Sequence, residues 1–186
     1  MRGEGIAASD ESVQAAAFRR LANEHLEAGY RLAYAILGNP AEAQDATHDA
    51  FVQAWRKWHT LRDPDSFEAW FDRIVANTCK NRLTSSARRH TRTLENAIET
   101  VGNGIETPRA DPMGQALDRV ALAVALATLS PDHRVVVALR YYRDLSVDQI
   151  AARLGLRPGT VRSRLHYATR RLHAALVEAD EREVTR

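Results

Sequence analysis

The chain is poor in residues that staple or punctuate a fold. It has one cysteine, Cys79, among 186 residues, so no disulfide can form within it, which fits a reducing cytoplasm. Cys79 itself reads as a buried packing residue rather than a catalytic thiol. No run approaches the roughly 18–20 apolar residues that a membrane-spanning helix needs. The opening segment, MRGEGIAASDESVQ, lacks an apolar core of signal-peptide length, so export is not expected. Aromatic residues make up only 6% of the chain, and its nine glycines leave long stretches uninterrupted. No nucleotide-binding glycine loop or nucleophile-elbow motif occurs.

What is present is Ala, Leu and Val, within an apolar content of 45% that is ample for a core. This composition suits a helical protein. The net charge is only +2, yet it is unevenly placed. Between Ile74 and Leu94 stand Lys80, Arg82, Arg88, Arg89 and Arg92 without one acid. Between Gln149 and Val177 stand Arg153, Arg157, Arg162, Arg164, Arg170 and Arg171, again without an acid. Glu95, Glu99, Glu106, Asp111 and Asp118 lie between the two blocks. One basic helix is often a solvated face. Two acid-free blocks separated by an acidic strip point to two contacts with a polyanion.

Periodicity predicts a first helix from about Ser12 to Leu37, with Phe18, Leu21, Leu32 and Ile36 on its apolar face and the first ten or so residues frayed. Gly38-Asn39-Pro40 ends it, and Asn39, Pro40 and Glu42 form a capping-box arrangement for the next helix. That helix carries Ala46, Ala50, Phe51, Ala54, Trp55 and Trp58 as its apolar stripe. After a loop from His59 to Pro64, a third helix is expected from Asp65, with Glu68 three residues on. Its stripe is Phe67, Trp70, Phe71, Ile74 and Val75. From about Thr91 to Met113 the pattern fails among Gly102, Gly104, Pro108 and Pro112. Helical periodicity resumes at Leu117, in pieces divided at Ser130-Pro131, Leu145-Ser146 and Gly155. The reading is all-α, with two small helical domains over residues 12–92 and 114–178 joined by a flexible linker over 93–113.

The strongest local signal is LSVDQIAARLGLRPGTVRSRLHYATRRL, Leu145 to Leu172. Ser146 and Gln149 form a capping box, and Ile150, Ala151 and Leu154 face inward. Gly155 permits a left-handed turn, Leu156 anchors it, and Pro158 opens a second helix. Val161, Leu165, Ala168, Leu172 and Leu176 make that helix's buried stripe. Arg157, Thr160, Arg162, Ser163, Arg164, His166, Tyr167 and Arg170 are then the candidate DNA-contacting residues. A helix entering the major groove needs guanidinium groups for guanine edges and phosphates, with hydroxyl or imidazole groups beside them. Arg170 and Arg171 lie further along and suit phosphates. A plain helical hairpin with a polar surface explains less, because the turn glycine, both stripes and the acid-free helix coincide.

Here the sequence resembles a known family. Leu129-Ser130-Pro131 through Arg134-Val135-Val136, then LSVDQIA and GTVRSRL, are similar to the sigma-4 domain of extracytoplasmic-function (ECF) sigma factors. AEAQDATHDAFVQAW, Ala41 to Trp55, and FEAWFDRIVANTCKNRL, Phe67 to Leu83, resemble their sigma-2 domain. The resemblance covers most of residues 18–176 and implies the subclass without a sigma-3 domain. It implies an alternative sigma factor, not an enzyme, that directs transcription initiation, with no catalytic residue, cofactor or metal.

The implied partners are core RNA polymerase, through its largest-subunit clamp helices and its flap, promoter DNA, and an anti-sigma factor. The resemblance implies polymerase docking through Asp45, Asp49, Phe51, Gln53 and Trp55. It implies −10 opening through the loop and third helix, with Asn77, Lys80, Arg82, Arg88 and Arg89 as the polar or cationic groups, and −35 reading through the helix-turn-helix. The implied location is cytoplasmic, at the nucleoid or held at the membrane by an anti-sigma factor. The chain departs from the pattern at Gln44-Asp45-Ala46, where Glu-Asp-Leu is frequent, and at Asn81, where Asp is frequent.

Two other functions fit parts of the chain. His48-Asp49, with His25 and Asp72, superficially resembles the ligands of HD-type metal-dependent phosphohydrolases, which need those groups converging on one pocket. A stand-alone helix-turn-helix regulator fits the C-terminal half and leaves Ala41 to Arg89 unexplained. If the linker reading is right, limited proteolysis should cut first between about Leu94 and Met113 and release two folded fragments. First cuts elsewhere, or fragments that fail to fold, would contradict it.

Overall fold

A computed structural model describes the backbone of residues 4–94 and 122–184. The acidic strip and all of the expected linker beyond Leu94 lie outside the described residues. Helices are the only regular structure among those described. They are α1 (Glu4–Leu37), α2 (Pro40–Arg56), α3 (Phe67–Leu94), α4 (Pro131–Val137), α5 (Val147–Leu154) and α6 (Pro158–Val184), with a helical segment over residues 122–127.

The caps mostly follow the sequence. Asn39 is extended and its Oδ1 accepts the Glu42 amide at 3.0 Å, with Pro40 at the first helical position. The third helix starts differently from the expectation of Asp65. Asp63 precedes Pro64, which holds it extended, and its carboxylate accepts the Asp65 amide at 3.1 Å and the Ser66 hydroxyl at 2.9 Å. A single 3₁₀ turn, Pro64–Ser66, then leads into α3 at Phe67. At the other end α1 begins at Glu4 rather than near Ser12. Its early residues include Ala7, Ala8 and Ala15–Ala17, which favour helix without a core face to announce it.

α1, α2 and α3 pack on one another. Ala43, Ala46, Ala50 and Ala54 of α2 are all completely buried, and these small side chains let the flanking helices approach closely. The aromatic residues fill the space left over. Phe71 lies between Phe67 (5.6 Å between ring centres) and Phe51 (4.4 Å), and Phe18 meets Trp58 edge-on at 5.3 Å. Trp55, expected in the buried stripe, is 45% exposed, with one side of its ring against Phe18 at 5.1 Å. Cys79 is buried in this core, and desolvation pushes its thiol up to about 12, which leaves it protonated and inert at neutral pH.

In the C-terminal half, Val135, Val136, Leu139, Leu145, Ile150 and Val161 are buried. Leu172 still packs against Leu129, Val137 and Ala168, but Leu176, one turn on, is 38% exposed. The expected stripe therefore ends at Leu172, where α6 runs past its partners. α4 widens into a π-helical turn over Ala138–Tyr142, and Asp144 then takes a left-handed conformation (φ 49°) before α5. No periodicity rule foresaw this wide turn. It delivers Arg143 to the Asp72 carboxylate.

The two halves touch. α3 packs on α4 and α5, and α1 packs on α4 and the π turn, so most buried residues of both halves form one contiguous cluster, with Leu129, Val137 and Ala168 in a second. Three glycines are constrained by contact or conformation, Gly38 by its φ of 74° alone. A Cβ on Gly29 would stand 2.7 Å from Phe71 Cε1, and Phe71 is wedged in the aromatic stack. Gly29→Ala should therefore destabilise the protein by about 1–3 kcal/mol in urea denaturation. Gly155 ends α5 at φ 65°, where a Cβ would also meet the Arg73 guanidinium at 3.3 Å. Gly155→Ala should cost about 1 kcal/mol and lower the melting temperature. Unchanged denaturation curves would show that the stack, or the turn, relaxes freely.

Candidate nucleic-acid interface

The helix-turn-helix is built as the sequence predicts. Ser146 Oγ accepts the Gln149 amide at 3.2 Å, and the Ser146 amide donates to Gln149 Oε1 at 2.8 Å, which closes the capping box at the start of α5. After the Gly155 turn the Leu156 amide donates to the Ala151 carbonyl at 2.9 Å, and α6 starts at Pro158. Val161 and Ala168 have no exposed surface, which fixes the rotation of α6. That rotation leaves Arg157, Arg162, Ser163, His166, Tyr167 and Arg170 exposed and Thr160 half-buried. These are hydrogen-bonding groups with no acid among them, the chemistry that base edges and phosphates accept.

Not every candidate is free. Arg164 is half-buried and pairs with Asp132 at 3.2 Å. Ser163 Oγ donates to the Thr160 carbonyl at 3.0 Å. The Tyr167 ring stacks on His133 at 4.9 Å. Arg171, expected at phosphates, donates through Nε to the Thr128 carbonyl at 3.2 Å and so braces α6 against the segment before α4.

The α3 candidates divide similarly. Asn77 is exposed, but Lys80 pairs with Asp132 at 2.7 Å. Arg82 donates to Asp49 Oδ2 at 2.5 Å and lies 3.8 Å from Asp45, so it ties α3 to α2. The Asp49 hydrogen bond holds the Arg82 guanidinium above its ordinary range. Arg88 and Arg89 continue α3, and their side chains lie outside the described residues.

On α2, Asp45 and Trp55 present outward surface. Asp49 is engaged by Arg82, Phe51 stacks on Phe71, and Gln53 Nε2 donates to Thr78 Oγ1 at 3.2 Å. Beside Asp45 lies a groove of about 800 Å³ between α1 and α2. Leu26, Tyr30 and Phe51 supply its apolar lining, and Glu27 and Asp45 its acids. Its α1 wall was not foreseen, because Leu26 breaks the buried stripe and is 51% exposed.

The metal-ligand constellation does not assemble. His25 lies against the Phe67 ring at 5.1 Å, His48 is exposed in the groove, and Asp72 is buried elsewhere between two arginines. Among the described residues no group of three or more His, Cys, Asp or Glu side chains could hold a metal, and no helix is long and apolar enough to cross a membrane.

Known proteins share both halves. Residues 21–89 match Sigma-70 region 2, and residues 125–174 match Sigma-70, region 4. The chain is 36% identical over 168 residues to the ECF RNA polymerase sigma factor SigL of Mycobacterium tuberculosis, covering 90% of this chain and 93% of the relative. It is 31% identical over 163 residues to the RNA polymerase sigma-E factor of Streptomyces coelicolor, covering 88% of each. The fold matches that of the sigma factor RpoE of Bartonella quintana, solved in complex with the anti-sigma factor NepR, with a TM-score of 0.63, 23% identity and coverage of 86% of this chain and 96% of that one. CnrH, solved with the cytosolic domain of CnrY, gives a TM-score of 0.59 at 25% identity over 92% of this chain and 99% of that one. With both regions present in order and a relative aligned along nine-tenths of its length, the chain belongs to the ECF sigma factors of the sigma-70 family.

Proposed function

We propose that this alternative sigma factor divides its work among three surfaces, on α6, on α3 and at the α1–α2 groove. The exposed row on α6 carries the reading: Arg162, Ser163 and His166, with Arg157 and Arg170 at its ends, enter the major groove at the −35 element. α3, with Asn77, Lys80, Arg82, Arg88 and Arg89, meets the −10 strand, where cationic groups and neighbouring aromatic rings suit unpaired bases. Asp45 and Trp55, beside the groove that holds Leu26, Glu27 and Tyr30, dock on core polymerase. An acid-edged apolar groove suits a basic amphipathic helix such as a clamp helix. Domain limits of 12–92 and 114–178 accompany this division.

The protein acts in the cytoplasm at the nucleoid, without chemistry of its own, and polymerase does the catalysis. An anti-sigma factor is a further partner, as it is for the sigma factor RpoE.

The test is reconstitution with core polymerase. The free chain should bind duplex promoter DNA weakly and with steep salt dependence, because one small helix-turn-helix makes few base contacts. Permanganate-reactive −10 bases should appear only with core present. Arg162→Ala or His166→Ala should cost on the order of 1–3 kcal/mol of −35 preference while leaving core binding intact. Asp45→Ala with Asp49→Ala should abolish core association on native gels while sparing helix content. Tight site-specific binding by the free chain, with the double variant still active, would instead indicate an ordinary regulator.

A further inference from the structure

One flank of α6 is held by residues at and just before the start of α4. Arg164, Tyr167 and Arg171 follow one another at three- and four-residue spacing, so they share that flank. Asp132 accepts Arg164 at 3.2 Å, and the Thr128 carbonyl accepts Arg171 Nε at 3.2 Å. Between them the His133 ring stacks on Tyr167, with 4.9 Å between ring centres and 29° between planes. His133 is itself fixed in place. Its amide donates to Ser130 Oγ at 3.4 Å in the cap of α4, and the neighbouring Arg134 donates to the Ala127 carbonyl at 2.9 Å.

The three flank residues differ in what they have left for a partner. Arg164 and Arg171 already have internal acceptors. Tyr167 is 53% exposed, and its hydroxyl has no hydrogen-bond partner among the described residues. A phenol has only two side-chain torsions to fix, and a ring stacked on a neighbour has fewer orientations to lose on binding.

The helix period tells where that partner lies. Val161 and Ala168 fix the buried side of α6. Arg162, Ser163, His166 and Arg170 fall opposite them, and Tyr167 falls about a quarter-turn from their centre, toward α4. With that row against the base edges, Tyr167 faces the wall of the groove, where the phosphates are. It also stands in the third turn of α6, beyond the N-terminal turns that reach base edges in helix-turn-helix complexes. A phenolic hydroxyl donates to a phosphate oxygen without carrying charge.

We propose that Tyr167 contacts a backbone phosphate at the −35 element and that His133, on α4, is its positioning residue. The imidazole props the ring so that the hydroxyl meets the groove wall. This rests on the −35 reading by α6 proposed above. The contact sets how α6 seats in the groove, and the bases are read by its neighbours. Being uncharged, it displaces no counterion, which separates it from the arginines of the same face.

The test uses the full chain bound to core polymerase, with short duplexes carrying the −35 element or its single-base variants, over a range of salt. Tyr167→Phe keeps the stack and removes the hydroxyl. It should weaken binding to every duplex alike, on the order of tenfold, with the salt slope unchanged. Arg170→Ala should instead lower the slope by about one. His133→Ala should lose most of what Tyr167→Phe loses, and the two together should cost little more than Tyr167→Phe alone. His133→Phe restores a stacking ring and should restore binding. A loss confined to one base pair would overturn the proposal by making Tyr167 a base reader. Additive losses would overturn it too, as would a lower salt slope for His133→Phe, which would make His133 a cationic contact in its own right. Wild-type binding by the Tyr167 and His133 variants, with Arg162→Ala still weakened, would overturn the pair alone. No effect of Arg162→Ala would overturn the −35 reading and the pair with it.

Discussion

A carboxylate with no access to water must be answered by the protein, and Asp72 is answered only by residues more than seventy positions away in the chain. That requirement organises the contact between the halves. It brings the end of the π turn to α3, sets α5 alongside, and places the Gly155 turn against Arg73. The apolar residues then close around it as one cluster, from Phe18 and Phe71 to Ile150 and Val161. Apolar contact is forgiving of register, whereas two guanidiniums on one buried carboxylate are not. The apolar surface supplies the drive to associate, and Asp72 selects one arrangement.

The same economy runs through the proposed functional faces. Several residues whose chemistry suited an external partner are already used inside the molecule. Arg82 holds Asp49, Gln53 holds Thr78, Arg171 holds the Thr128 carbonyl, and Lys80 and Arg164 share Asp132. The groups left exposed include Arg157 just before α6, Arg162, His166 and Arg170 on α6, Asn77 on α3, and Asp45 and Trp55 on α2. A cationic side chain in a binding region is therefore read best after its internal partners are known.

Much of this was legible in the sequence. Asn39-Pro40, the Ser146–Gln149 box, Gly155 and Pro158 each mark a boundary through local backbone chemistry, and the helices begin and end at them. The stripes Phe18–Leu21–Leu32–Ile36 and Val161–Ala168 are buried as spacing demands. What spacing could not give were features set by distant neighbours. Trp55 and Leu176 keep the helical period yet stay largely exposed, Trp55 with only one side of its ring covered, by Phe18. Asp63 displaces Asp65 as the cap because the proline beside it fixes its conformation. In the sequence Asp72 fits only the metal-ligand pattern with His25 and His48-Asp49. One acid in an apolar stripe does not announce whether a metal, an arginine or water will meet it, and its two partners lie across the segment joining the halves.

Contact between the halves at Asp72 predicts that they are together in the free protein, and two separated promoter elements require them apart in the initiation complex. Energy transfer between dyes on Ser85→Cys and Ala174→Cys, both exposed positions, in a Cys79→Ala background would measure it. The separation should be short and single-valued in the free chain, and should lengthen by tens of ångströms when core polymerase and promoter DNA are added, on the scale of two helical turns of duplex, about 70 Å. An equal separation in both states, or a long one in the free chain, would contradict it.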